Sequence, residues 1–242
     1  MGGFLRFLAF FAVLAAILLL VVAPLVAGPL LTQTVRAQGV RSSNLAVTLA
    51  LFDPTILLGR SRSMHVSADQ VDMPPALIGS LELTLGDVSF FDRTWATVDG
   101  EMRDIRLTTG GRTFVVDTLT VAGPANAANA TVRLSAEATE SLIRFAAERE
   151  GLRVEDVRFS GTGVRVDLAG VQADAQVDVR GGALVLVPPG GEDGVALIQP
   201  AASDPWQLSE AWVSDEGLNL RGTVDTTRLV ESVTGWGLRT PG

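Results

Sequence analysis

Apolar and polar positions alternate along most of this chain. In GVRVDLAGVQADAQVDVRGGALVLV, residues 163–187, Val164, Val166 and Leu168 alternate with Arg165 and Asp167. Val171, Ala173, Ala175, Val177 and Val179 then alternate with Gln172, Asp174, Gln176 and Asp178. A period of two marks a strand with one face covered and the other wet. The same period predicts strands over 45–51, 63–68, 81–85, 95–107, 113–121, 195–198, 210–214 and 218–224. Gly110-Gly111 and Gly181-Gly182 read as hairpin turns. Pro74-Pro75 is a break, 188–194 a Pro/Gly loop, and GPANAANA (123–130) is small and polar, which predicts another loop.

The period changes once in this region. Over residues 135–151, Ala138, Leu142, Phe145 and Ala146 recur at i, i+4, i+7 and i+8, the stripe of an amphipathic helix. Glu137 and Glu140 stand near its start and Arg149 near its end, as the helix dipole prefers. Gly151 supplies the stop. A short helix is also expected over 225–233. Strands in runs around one real helix predict an α+β fold rather than alternating βαβ units.

That pattern poses a problem of cover. A helix of about 16 residues is roughly 24 Å long. It can cover only a few strands spaced ~4.8 Å apart. The sheet must close on itself, curl around the helix, or leave an apolar groove. Leu142, Ile143, Phe145 and Ala146 suit one wall of such a groove, and Leu83, Leu85, Val164, Val166 and Leu168 the other. Ordinary core is the competing reading of the same residues.

Residues 7–31 carry no charge. About 20 apolar residues cross a bilayer, whereas the apolar part of a cleaved signal is about 7–15 long. Length favours an uncleaved transmembrane anchor. Leu25-Val26-Ala27 and Val35-Arg36-Ala37 keep cleavage as the alternative. Arg6 before the segment and Arg36 and Arg41 after it nearly balance. We read the amino terminus as cytoplasmic and the body as extracytoplasmic. The expected organisation is a transmembrane anchor at 1–35, a β-rich body at 36–234 and a loose tail at 235–242.

Composition removes several functions. The formal net charge is −8, which argues against a nucleic-acid partner. The 242 residues include no cysteine and one histidine, so thiol chemistry and multi-histidine metal sites are out. Every basic residue is arginine, which removes lysine chemistry. His65 lies between Met64 and Val66 in a predicted strand, with no G-x-S-x-G elbow in the chain to serve. It reads as a polar-face side chain rather than the base of a hydrolase. Neither a cofactor nor a metal is expected.

Two runs resemble a known family. One is Ala130-Thr-Val-Arg-Leu-Ser, the helix, Leu152-Arg-Val and Gly163-Val-Arg-Val-Asp-Leu-Ala-Gly. The other is Leu57-Leu58-Gly59-Arg60, Met64-His-Val-Ser-Ala-Asp-Gln-Val71 and Leu81-Glu-Leu-Thr-Leu-Gly-Asp-Val88. Both look like the LmeA-like phospholipid-binding family, over residues 45–224. The resemblance implies a strongly curved antiparallel sheet wrapped on one long helix, similar to tubular lipid-binding domains. It also implies phospholipid held in an apolar cavity at the cell envelope, a supporting role in envelope lipid or glycolipid assembly, and no enzyme. Arg60, Arg62, Arg144 and Arg149 are headgroup candidates because guanidinium suits phosphate. The rival is a structural or adaptor β-domain, tethered to the membrane without a ligand cavity.

Overall fold

The computed structural model describes residues 41–50, 55, 58–73, 76–92, 94–109, 112–161, 163–168, 171–191, 194–201 and 203–229. The anchor segment 7–31 and the tail at 235–242 lie outside them. No helix among the described residues is long and apolar enough to cross a membrane.

The alternating segments form strands, all paired antiparallel. The first six are β1 (Arg41–Leu49), β2 (Arg60–Met73), β3 (Ala76–Ser89), β4 (Thr97–Thr109), β5 (Arg112–Pro124) and β6 (Ala128–Ser135). Helix α1 (Ala136–Arg149) follows. Then come β7 (Val154–Ser160), β8 (Gly163–Leu168), β9 (Val171–Arg180), β10 (Ala183–Val187), β11 (Val195–Ile198), β12 (Trp206–Ser214) and β13 (Gly217–Val224). An eight-stranded sheet runs β1-β2-β3-β4-β5-β6-β13-β12, and a five-stranded sheet runs β11-β10-β9-β8-β7. Neither order closes on itself.

Two sequence expectations change here. Residues 123–130 are not a loop: β5 runs to Pro124 and β6 starts at Ala128, because alanines 128 and 130 are small inward residues of a strand. Nor is there one sheet around one long helix. The helix has 14 residues, about 21 Å by its rise. It packs chiefly on β5, β6 and β13 of the large sheet and on β7 and β11 of the small one, while β12 of the large sheet also packs directly on β9 of the small one.

Apolar rungs cross the large sheet on its inner face. Leu49, Met64, Leu85 and Val98 form one, and Val47, Val66, Leu83, Gly100 and Val121 the next. A third joins Ala68, Leu81, Met102, Leu119, Val132 and Leu220. Beyond the third rung the alternation slips. Inward residues fall three apart, not two, at Ala68/Val71, Ile78/Leu81, Met102/Ile105 and Val116/Leu119. In the outward row Asp69 pairs with Ser80, Ser80 with Arg103 and Arg103 with Thr118, while the ladder skips Gln70, Gly79, Asp104 and Asp117 and resumes in the same register at Val71, Ile78, Ile105 and Val116. Gln70 (φ 49°) and Asp104 (φ 54°) take the left-handed conformation to do this.

A slip in one strand alone would turn every later side chain to the wrong face. Made by four neighbours together, it keeps the ladder in register and creases the sheet. A second crease crosses β2, β3 and the approach to β4 at Ser61/Met64, Leu85/Val88 and Trp95/Val98, with Asp87 left-handed (φ 50°). Beyond it the end of the sheet is shut by a helical turn at 226–229. Trp95 Nε1 donates to Thr226 Oγ1 (3.1 Å), which donates to the Ala125 carbonyl (2.7 Å), and Thr226 and Leu229 are fully buried. The short β9–β10 connection is the expected glycine hairpin, with φ 58° at Gly181 and 79° at Gly182, as a type I′ turn requires.

The crease carries a measurable strain. A left-handed non-glycine residue costs about 1–2 kcal/mol, partly offset by the entropy glycine loses on folding. Gln70→Gly should therefore raise stability in urea unfolding by up to about 1 kcal/mol. Gln70→Val should lower it, because a β-branched side chain resists φ near 50°.

Candidate functional site at the seam of the helix and the two sheets

Local sequence sets the position of α1 closely. The Ser135 side chain caps the helix by accepting from Ala138 N–H (3.2 Å), and buried Thr139 donates to the Ser135 carbonyl (2.7 Å). At the other end Gly151 (φ 75°) closes a Schellman motif. Its N–H donates to the Glu148 carbonyl (3.1 Å), and that of Leu152 to Ala147 (2.9 Å).

The helix is turned slightly from its expected orientation. Its buried residues are Ala138, Thr139, Ile143, Ala146 and Ala147. Leu142 and Phe145 sit at the margin of that face, half-buried. Phe145 meets the half-buried Phe114 of β5 edge to face, ring centroids 6.0 Å apart. Phe114 pairs with Leu107, which pairs with Ala76, so this contact lies toward the β2–β3 hairpin end of the sheet. Leu142, Phe145 and Arg149 fall at i, i+3 and i+7 on one side of α1. Two apolar side chains are thus followed by an exposed guanidinium one turn on.

The other groove candidates are dispersed. Leu83 and Leu85 are buried in the inner rungs of β3, a strand away from the main contacts of α1. Val164 and Val166 are buried in β8, and half-buried Leu168 ends it, all in the small sheet. The nine apolar candidates thus divide between two sheets and a helix. Only those on α1 lie at the seam, and sequence reasoning missed Phe114, their partner on β5. Its only signal in the sequence is a large aromatic three residues after the Gly110-Gly111 pair, which lies outside the described residues.

The arginines divide likewise. Arg60 and Arg62 begin β2, while α1 meets β5 beside the far end of that strand, which its 14 residues put ~40 Å away. Arg144 is committed to the fold. Its Nε donates to Glu140 (2.8 Å), one terminal nitrogen to the Val154 carbonyl and the other to that of Glu155 (2.8 Å). It ties α1 to β7 rather than presenting a free headgroup ligand. Beside it lies an open cleft of about 350 Å³ lined by Arg144, Glu148, Gly151, Leu152, Arg153 and Val154.

Perturbed ionisations mark the surface of the sheets. A hydrogen bond from Arg103 holds the Glu101 carboxyl below the usual range, and one from Arg165 does the same for Asp174. Burial pushes the Asp204 carboxyl up, against a hydrogen bond from Ala201 N–H. His65 is exposed on the convex face, its Nδ1 3.1 Å from Thr84 Oγ1. Among the described residues no group of three or more His, Asp or Glu side chains is placed to hold a metal.

Two antiparallel sheets with one short helix packed on both make a β-rich α+β protein, with Phe114, Leu142 and Phe145 half-buried where the helix meets β5. Residues 19–221 match the sequence model of the LmeA-like phospholipid-binding family, and the chain belongs to that family. No curated protein and no solved structure matches the chain.

The role given to Arg144 is testable. Removing a side chain that satisfies two backbone carbonyls and a carboxylate should cost about 1–3 kcal/mol. Arg144→Met should lower the urea midpoint accordingly. Arg144→Lys should recover little, since one ammonium lacks the fork that spans three acceptors.

Proposed function

We propose that this chain is a membrane-anchored, extracytoplasmic phospholipid-binding protein that holds acyl chains at the seam of α1 and β5. Family membership supports phospholipid as the ligand class. The single observation that selects the seam is the half-buried trio Phe114, Leu142 and Phe145, where α1 meets β5 and two rings stand edge to face. An acyl chain entering beside Phe145 gains apolar burial, at ~0.8 kcal/mol per methylene. Arg149, on the same side of the helix, is placed for the headgroup phosphate, with Arg153 nearby.

The uncharged segment 7–31 supplies the membrane tether, with secretion after cleavage as the alternative. Its chain enters the sheet at Arg41, whose register partner is Asp72, and Asp72 pairs with Leu77. That is the same end of the sheet as Phe114. A tether there sets the seam near the membrane that supplies lipid. The protein carries or presents lipid to envelope lipid or glycolipid assembly and does not itself catalyse a reaction.

A second reading has one observation in its favour. Ile143, Leu83, Leu85, Val164 and Val166 are closed off from solvent, as in a structural domain without a cavity. A phospholipid bearing a photoreactive group on its acyl chain separates the two. Crosslinks mapped by mass spectrometry should fall on peptides containing Phe114 and residues 142–149. Crosslinks confined to residues 1–40 would sink the seam and leave the tethered structural domain. In Phe145→Trp, emission should be quenched by brominated-chain phospholipid.

A further inference from the structure

At the end of the large sheet opposite the seam, two apolar side chains stand out in water. Phe91 is 81% exposed and Leu58 73%, the two most exposed large apolar side chains among the described residues. They are not on a loose strand of chain. Phe90 N–H donates to the Gly59 carbonyl (2.8 Å), and Ser89 and Thr94 exchange both backbone hydrogen bonds (2.8 and 3.1 Å). The Ser89 hydroxyl donates to Asp92 (2.7 Å).

The Phe91 ring lies directly on Gly59. A side chain there would start 2.0 Å from a ring carbon, and Gly59 itself is left-handed (φ 70°). One face of the ring is thus held against backbone beside Leu58 while the rest is left bare. Exposing two such groups is unfavourable in water, and a turn braced to expose them needs an apolar partner.

Exposed Arg60 and Arg62 flank the pair on β2, with Asp87 and Asp92 as the nearby acids. In a chain of net charge −8 this end is locally balanced, with its arginines beside the apolar pair. Aromatic and leucine side chains edged by guanidinium groups match a bilayer interface, where rings sit at headgroup depth and arginine meets phosphate.

The geometry points to the Leu58–Phe91 tip as a docking wedge that inserts into the interface of an anionic phospholipid bilayer. Arg41 enters the sheet ~40 Å away along β2, so the tip is a lipid contact separate from the N-terminal segment. It goes beyond the cargo role proposed above and does not require it: a chain that carried no acyl chain would still dock.

The chain has no cysteine, so a single reporter can be placed at will. Leu58→Cys, Phe91→Cys and, on the convex face, Thr120→Cys are each made in the full chain and labelled with an environment-sensitive NBD group. The labelled protein is reconstituted in phosphatidylcholine–phosphatidylglycerol vesicles, and further vesicles of the same composition are added. Brominated lipid is placed in the host vesicles in one arm and in the added vesicles in the other. The expected result is a blue shift with several-fold quenching at positions 58 and 91 in at least one arm, and neither at 120. The response to phosphatidylglycerol should fall several-fold with Arg60→Glu and Arg62→Glu together. No quenching at 58 and 91 in either arm, or equal quenching at 120, overturns the proposal. So does an undiminished response in the Arg60/Arg62 double variant. A blue shift that grows with protein concentration without lipid quenching would show a second copy as the occupant, and overturns it too. Acyl-chain crosslinking at the seam is read separately, so failure of the wedge and failure of the cargo site remain distinguishable.

Discussion

The structure depends on a slip shared by neighbours. β2 to β5 each place two successive residues outward in the same row, at Asp69-Gln70, Gly79-Ser80, Arg103-Asp104 and Asp117-Thr118. Because the register is the same on both sides of the row, the inner rungs on either side remain apolar, and one pair is skipped between each two strands. Long antiparallel strands with one oily face need a cover that a single 14-residue helix cannot supply. The shared slip keeps the apolar residues of all four strands on one face on both sides of it. The left-handed backbone at Gln70 and Asp104 is the cost of that slip.

The helix then does a different task from the one its pattern announces. It packs on two sheets rather than lying as a rod inside one. Its small residues Ala138, Ala146 and Ala147 allow close approach, and Ile143 fills the remaining space. Larger side chains at 142 and 145 are displaced to the margin. The Arg144 fork, on the other side, bonds to β7 and sets the helix rotation. Those two facts leave Leu142 and Phe145 half-buried at the edge of the packed face.

Much of this is written locally. The Ser135 cap, the Gly151 stop and the Gly181-Gly182 hairpin follow from residue types whose conformational preferences hold in isolation. The strands at 45–49, 81–85 and 163–168 are legible because their alternation is unbroken. β4 is less clean to the eye, since its inward positions run 98, 100 and 102 and then 105 and 107, with a glycine at 100 and a three-residue step after 102. The irregularity is the crease itself, and only neighbouring strands reveal that it is shared. β6 is hidden because Ala128 and Ala130 lack the bulk that marks a strand. The Trp95–Thr226 bond joins residues 131 apart, which no local pattern encodes. For the same reason Leu83 and Val166, alike in sequence, belong to different sheets, and Phe114 emerges as a neighbour of Phe145 only in three dimensions.

Closed inner rungs and an open margin suit a carrier of apolar cargo. A wide empty groove would leave its lining without contacts on one side, at a cost that grows with its volume. A seam closed by side chains avoids that. Phe114 and Phe145 touch when nothing lies between them, in an edge contact of about 0.5–1.5 kcal/mol beyond simple burial. Four buried methylenes, at ~0.8 kcal/mol each, exceed that contact, so an acyl chain of ordinary length can part the rings with free energy to spare. The seam therefore needs no hinge or lid in the large sheet. Its opening is set by two side chains, while the creased sheet, the Trp95–Thr226 closure and the Arg144 tie hold the frame around them.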